Sequence, residues 1–322
     1  MQKTVVILGA GWAGLPLAHK LLKYTTPKVP KLKVILVSPN SHFFWNVAAS
    51  RAILPKQIPD DQVFIPIQPA FERYAQENFE FILGRAENVD LQASTVTLVI
   101  ATGSRLAGNT PFKLLGSHET TITAWHKMRE QVEHAKSIII SGAGPTGVEF
   151  AGELAALYGS SKTITLIISG DEPLEGALAV RVTNTEEVAP AGPVEVTLTD
   201  GSTIKADMYV PFHGAKVNSA FIPDELLDPT GSIKVDKSLK VENTRNLWAI
   251  GDVGNAEPKQ LTPYRPMEKK MLFIALGKKL ASGHIGSWRL FGLIVSYVKG
   301  RKLFVDTAEG YVQGKHLRHA AM

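Results

Sequence analysis

The chain contains no cysteine in 322 residues. That excludes a disulfide framework, a thiolate metal site and a redox-active CxxC pair. A strong charge of one sign is also missing. The net charge of +5 is a mild basic excess, suited to anionic cofactors or an anionic surface and short of a nucleic-acid signature, so no specific nucleic-acid partner is expected. The apolar stretch Leu290–Val298 falls far below the ~20 residues a membrane span requires. A glycine turn begins within about ten residues of Met1, which leaves no room for a signal or transit peptide. Gln2 stands where N-myristoylation needs glycine. The expectation is a soluble or peripheral protein of a reducing compartment, the cytoplasm. At 44% hydrophobic, the chain is large enough for two domains with real cores.

What the chain does have is a run of branched apolar residues that ends in Gly9-Ala10-Gly11-Trp12-Ala13-Gly14 and passes at once into a helical pattern, Leu15–Tyr24. One glycine makes the turn, one lets backbone approach a pyrophosphate, and one lets helix and strand pack closely; the phosphates sit at the helix N-terminus. A lone GxGxxG is weak, but this one lies between strand and helix as the chemistry requires. The chain then repeats it: Lys136–Ser141 leads into Gly142-Ala143-Gly144-Pro145-Thr146-Gly147-Val148-Glu149. Two such turns suggest two dinucleotides, with electron transfer between them.

The first turn is read with strands Gln2–Leu8 and Lys33–Val37. Where an acid usually holds the ribose, the chain reads Ser38-Pro39-Asn40: either Ser38 or Asn40 bonds the ribose more weakly, or the stretch is a turn. The aromatic loop His42–Asn46 runs to Arg51, which either pairs with a pyrophosphate or caps a surface. Phe64–Gln76 reads as helix, and Phe79–Leu83 and Thr95–Ile100 as strands; the latter enters Ala101-Thr102-Gly103, which suits backbone approach to a phosphate or flavin. Thr123–Ala135 is read as helix. The second unit runs from Lys136 to Ile168, with Glu149 and Glu153 one turn apart on one helix face. Beyond it, Asp171 or Glu172 either reaches a ribose and favours NADH or belongs to a solvated loop. A hairpin is expected around Asp200-Gly201, and strand character over Ser232–Val241. Asn246–Ile250 ends in Gly251-Asp252, either a turn or a carboxylate for sugar-alcohol hydroxyls. From Thr262 on, basic residues interleave with Leu, Phe, Ile and Trp288, as an interfacial anchor or as a cap on the first domain.

In this order, Gly9–Gly14, Ala101–Gly103, Gly142–Glu149 and Gly251-Asp252 resemble the two-dinucleotide-fold flavoprotein reductases. His42–Asn46 with Arg51, Gly142–Glu153 and Lys299–Val305 resemble the apoptosis-inducing-factor-like, mitochondrion-associated branch of ferroptosis-suppressor type. The resemblance implies an α/β fold of two Rossmann-like domains, the second inserted in the first, plus a C-terminal α+β cap. The bounds are 1–107 with 236–262 for FAD, 108–235 for NAD(P)H, and 263–322 for the cap or membrane-associating region. It implies FAD at Gly9, Ala10, Gly11, Trp12, Ala13, Gly14, Ser38, Arg51, Ala101, Thr102, Gly103, Gly251 and Asp252. It implies NADH or NADPH at Gly142, Gly144, Pro145, Thr146, Gly147 and Glu149, with Glu149 orienting the nicotinamide carboxamide or serving only in packing. The implied activity carries a hydride from NAD(P)H to flavin and electrons to a quinone-like acceptor. The implied locations beyond the cytoplasm are the mitochondrial outer membrane or lipid droplets.

Three stretches depart from that family. Thr95–Ile100 runs straight into Ala101 without the usual hairpin; Gly170–Val182 is too short for the usual helix and strand; and Asn255–Gln260 passes at once into Leu261-Thr262-Pro263, where the family has a helix beneath the flavin. The alternative is therefore a nucleotide-binding sensor or scaffold with impaired catalysis.

Overall fold

β1, Lys3–Leu8, is rich in residues branched at Cβ, which suit a pleated strand. The chain turns from it into α1, Gly14–Lys20, which continues as a wider π-helical turn, Leu21–Thr25, and returns as β2, Leu32–Ser38, parallel to β1 with Leu8 opposite Val37. The computed structural model describes residues 2–91, 96–106, 108–168, 181–182, 191–198, 200–256, 271–285 and 288–317, with only the backbone of 181–182, 191–192 and 271. Asp171 and Glu172 lie outside the described residues, as do most of the two shortened links, at 169–180 and 257–270.

β3, His42–Phe44, leads through a short 3-10 turn into α2, Ala49–Ala52. The helix expected over Phe64–Gln76 is instead β4, Phe64–Pro66, antiparallel to β3, followed by a single 3-10 turn, Gln68–Phe71. Pro69 withholds an N–H that a continuous helix needs, and Pro66 disfavours helical geometry at Ile65. Stacking of Phe44 on Phe64, with centroids 4.7 Å apart, completes the pair.

Then come β5, Phe79–Leu83, β6, Thr97–Ile100, and β7, Ser104–Leu106. α3, His118–His134, starts earlier than the apolar pattern suggests because Ser117 caps it, accepting from the Thr120 amide at 3.1 Å. β8, Ser137–Ser141, α4, Pro145–Tyr158, and β9, Thr163–Ile167, form the second βαβ unit. β10, Arg181–Val182, β11, Ala191–Thr197, and β12, Thr203–Pro211, extend that sheet, with the expected turn at Gly201 (φ +85°). β13, Ala215–Val217, pairs with β7. Strand character over Ser232–Val241 comes down to isolated bridges. There the Asp236 carboxylate captures the Ser238 amide at 2.8 Å and bends the chain, and Leu239 takes φ +64°. β14, Leu247–Ala249, then rejoins the first sheet.

The first sheet is all parallel, in the order β14-β6-β1-β2-β5; the second runs β10-β11-β12-β8-β9. The chain leaves the first sheet after β6 and returns at β14, so the second Rossmann-like unit is inserted in the first. The C-terminal part holds an antiparallel sheet of β15, Met271–Leu276, β16, Leu280–Ile285, and β17, Trp288–Leu290. α5, Gly292–Val295, runs on as a π turn to Gly300, and α6, Val305–Val312, follows. α6 docks on the first unit: buried His19 donates from Nε2 to the Val312 carbonyl at 2.8 Å, and the Tyr24 hydroxyl donates to the Leu317 carbonyl at 2.9 Å.

Candidate functional site

The two glycine turns have the same geometry. Gly9 takes φ +107°, and a side chain there would run into the Ala101 backbone; a side chain at Gly14 would strike the Gly9 carbonyl. In the second turn, Gly142 takes φ +102° against the Phe212 backbone, and Gly147 abuts the Gly142 carbonyl. The middle glycines differ from their neighbours. A Cβ on Gly11 or Gly144 would meet nothing within 4 Å, so the backbone at both faces open space at the C-terminal edge of a parallel strand. The helices open directly from these positions, with the Leu15 amide bonded to the Gly11 carbonyl at 3.1 Å and Val148 to Gly144 at 3.0 Å. That is the backbone and dipole arrangement that receives an anion.

The first turn is joined at the same sheet edge by the ends of three other strands. Ala101 donates its amide to the Leu8 carbonyl at 2.7 Å, and Ile250 donates to Ile100 at 2.9 Å. Gly251 (φ +76°) lies against Ala13. Thr102 and Gly103 are held by Asn218: Thr102 Oγ1 donates to the Asn218 carbonyl at 2.7 Å, Asn218 Nδ2 returns a bond to the Thr102 carbonyl at 2.9 Å, and the Asn218 amide reaches Gly103. Asp252 accepts from Ser104 Oγ at 2.7 Å and Lys113 Nζ at 3.0 Å. Burial pushes its carboxyl up, but those two donors outweigh it and hold the group below the usual carboxylate range.

At the end of β2, Ser38 Oγ accepts from the Asn40 amide at 3.1 Å. Asn40 Nδ2 donates to the Gly116 carbonyl at 2.6 Å, while Asn40 Oδ1 is buried and has no partner among the described residues. An unmet buried acceptor at the ribose position of a Rossmann turn suits a sugar hydroxyl, and the open face of Gly11 suits a pyrophosphate. The residues present therefore fit a dinucleotide at the first turn, and the open face of Gly144 fits one at the second.

Arg51 and Glu149 lie in a different setting. Arg51 is buried and gives Nε and Nη2 to the two oxygens of Glu153, at 2.8 and 2.6 Å, and Nη1 to the Arg301 carbonyl at 3.1 Å. Glu149 Oε1 accepts from Lys299 Nζ at 2.5 Å and from the Ala275 amide at 3.1 Å. Burial raises its carboxyl pKa against the opposing pull of Lys299. One face of α4 thus ties the second turn to α2 and to the C-terminal sheet.

Trp12, 40% exposed, packs against Trp45 of the aromatic loop and Tyr311 of α6. The Tyr311 hydroxyl, pushed up to about 12 by burial, donates to the Trp12 carbonyl at 2.9 Å. Rings of Trp12, Trp45 and Tyr311 pack with centroids 4.8 to 5.7 Å apart. Phe212, Asn218 and Tyr311 carry no local motif; Phe212 follows directly on the end of β12. A cavity of about 750 Å³ between the 57–70 segment and α6 has Arg51, Asp61, Arg301 and Asp306 in its wall and no residue of either glycine turn.

The profile of the pyridine nucleotide-disulphide oxidoreductase family matches residues 3–267, and the chain belongs to that family. It is similar to oxidoreductase ptaL of Pestalotiopsis fici, 35% identical over 373 aligned positions that cover 98% of this chain and 100% of the relative. Ferroptosis suppressor protein 1 of Homo sapiens is 26% identical, covering 94% of each chain. Among solved structures, the sulfide:quinone oxidoreductase of Aquifex aeolicus shares the fold with a TM-score of 0.65 at 18% identity, covering 96% of this chain and 92% of that one. Both alignments to relatives are longer than this chain, so those relatives carry segments opposite gaps in it.

Proposed function

We propose that the chain is an FAD-dependent NAD(P)H oxidoreductase of the apoptosis-inducing-factor-like branch, passing electrons to a quinone-like acceptor. The observation that supports it most is the pair of glycine turns with matching geometry and open middle positions in one chain. FAD held at the first turn would supply hydride acceptance from a nicotinamide and electron release to an acceptor, chemistry that the side chains do not supply. The protein's part is to bind and orient. Gly11 and the start of α1 receive the FAD pyrophosphate, Asn40 Oδ1 accepts from its ribose, and Asp252, kept ionised by Ser104 and Lys113, accepts from sugar-alcohol hydroxyls. Gly144 and the start of α4 receive NAD(P)H.

The alternative, a nucleotide-binding sensor or scaffold, is favoured by the shortened link after Asn255 and by the gaps against longer relatives. One experiment separates the two. Purified chain reconstituted with FAD should turn yellow and bleach with NADH or NADPH, and should then reduce a soluble quinone. Folded chain that binds nicotinamide but neither holds FAD nor turns over is the sensor.

A further inference from the structure

The two Rossmann-like units repeat more than their glycine turns. In the first, the Ala101 amide donates to the Leu8 carbonyl at 2.7 Å, and a side chain on Gly9 would run into Ala101 and the Thr102 Cα. In the second, the Phe212 amide donates to the Ser141 carbonyl at 2.7 Å, and a side chain on Gly142 would run into Phe212 and the His213 amide nitrogen. Gly103 and Gly214 follow, with φ +65° and +70°. Ala101-Thr102-Gly103 therefore has its counterpart in Phe212-His213-Gly214, and His213 stands where the first unit has Thr102.

That position selects one half of a bound dinucleotide. β12 lies on one side of β8 and β9 on the other, all three parallel. In such a unit the ribose next to adenine lies over the end of the second strand, here β9, with the pyrophosphate over the turn. A dinucleotide centred on Gly144 thus extends its other ribose towards the end of β12, where His213 is. Beyond Gly103 and Gly214 the chain enters β7 and β13, which pair with each other. Thr102 and His213 therefore flank the crossover between the units, the side on which two nucleotides must meet for electrons to pass between them.

His213 is half-buried, and its Nε2 lies 3.1 Å from the hydroxyl of Tyr209, itself buried among Ile139, Val194 and Val196. Burial lowers the pKa of His213 and raises that of Tyr209, so at neutral pH the ring is uncharged and the hydroxyl keeps its proton. A hydroxyl that donates to Nε2 leaves the ring proton on Nδ1. A neutral N–H donor suits a sugar hydroxyl, whereas a phosphate is better met by a cation. We propose that His213 binds the ribose of the nicotinamide half of NAD(P)H, donating from Nδ1, with Tyr209 as the positioning residue that fixes the ring and its tautomer. The proposal rests on the reading that NAD(P)H occupies the second turn, and it names the side chain that holds the half of the ligand carrying the hydride.

The test measures binding of ADP, ADP-ribose, NADH and NADPH to the full chain in the presence of FAD by calorimetry, counting as second-turn binding what Gly144→Val removes. ADP-ribose carries the distal ribose and ADP does not. His213→Phe should weaken ADP-ribose, NADH and NADPH about tenfold each, the worth of one hydrogen bond, and leave ADP unchanged. His213→Asn, which keeps an N–H donor, should recover most of the loss. Tyr209→Phe should weaken ADP-ribose about threefold and add nothing in the His213→Phe background. Unchanged ADP-ribose binding in His213→Phe, or equal losses for ADP and ADP-ribose, would overturn the proposal. So would a loss confined to NADPH, which would set the ring against the 2′-phosphate of the adenosine half. Nicotinamide binding that Gly144→Val leaves intact would overturn the reading of the second turn itself, whatever the His213 variants do.

Discussion

Arg51 and Glu153, separated by 102 residues, meet in a two-point ion pair of 2.8 and 2.6 Å with both side chains almost wholly out of water. The pair pins α2 to α4, which opens from the second glycine turn. A buried pair adds little net stability, but removing one partner strands the other charge in a dry site. Glu153→Leu and Arg51→Met should therefore each lower unfolding free energy by about 3–5 kcal/mol. The double substitution should recover most of that loss, as read by urea denaturation. Two additive losses would show that the side chains do not act as a pair.

Middle and outer glycines should separate binding from folding. Gly11→Val and Gly144→Val place a side chain into open space, so both proteins should fold. Gly11→Val should lose FAD; Gly144→Val should keep FAD and its visible spectrum but no longer bleach with NADH. Gly14→Ala and Gly147→Ala, which drive a methyl into the Gly9 and Gly142 carbonyls, should lower the melting temperature instead. Stoichiometric flavin in folded Gly11→Val would place FAD elsewhere.

His19 links the C-terminal helix to pH. Burial lowers its pKa to about 4, and Arg73 and His316 push the same way against the Val312 bond. The folded state thus holds the ring neutral while the unfolded chain, near 6.5, binds the proton first. Stability is fully present above pH ~6.5 and falls as pH drops towards ~4, by up to about 3 kcal/mol. His19→Gln should flatten the stability profile between those pH values, whatever it does to absolute stability. An unchanged slope would assign the pH dependence to other groups.

The parts of the fold set by local chemistry were legible: the branched run into Gly9 and Gly142, the Asp200-Gly201 hairpin, the strand into Gly251. Phe64–Gln76 was misread because its apolar spacing suits a helix while Pro66 and Pro69 break one, and the ring stack on Phe44 is invisible without the fold. Ser232–Val241 failed for a similar reason, a side-chain turn at Asp236 competing with the ladder. At the site, the turn and close-packing glycines followed from sequence, but Asn218 and Tyr311 act on Thr102 and Trp12 from 116 and 299 residues away, with no local signal. The second acid on α4 was visible by spacing, whereas its pairing with Arg51, read as a partner of a pyrophosphate or as a surface cap, depends on contacts 102 residues apart.

FAD affinity reports on the shortened link after Asp252. Because Asn255–Gln260 passes at once into Leu261-Thr262-Pro263, where the resembled family has a helix, the chain is expected to lose flavin on long dialysis and regain it on titration, each ~1.4 kcal/mol of missing contact weakening binding tenfold. Flavin retained at sub-nanomolar affinity would mean that the segment carrying Tyr311, which already bonds the Trp12 carbonyl, closes the site instead.

The most direct measurement is an anaerobic titration of the FAD-reconstituted chain with NADH and, separately, NADPH, followed by visible absorbance. Loss of the oxidised flavin band by an equimolar amount of one nicotinamide, with recovery on adding a quinone, is the predicted result. A flavin that stays oxidised in excess of both donors, in a chain shown to bind them, would contradict electron transfer between the two glycine turns.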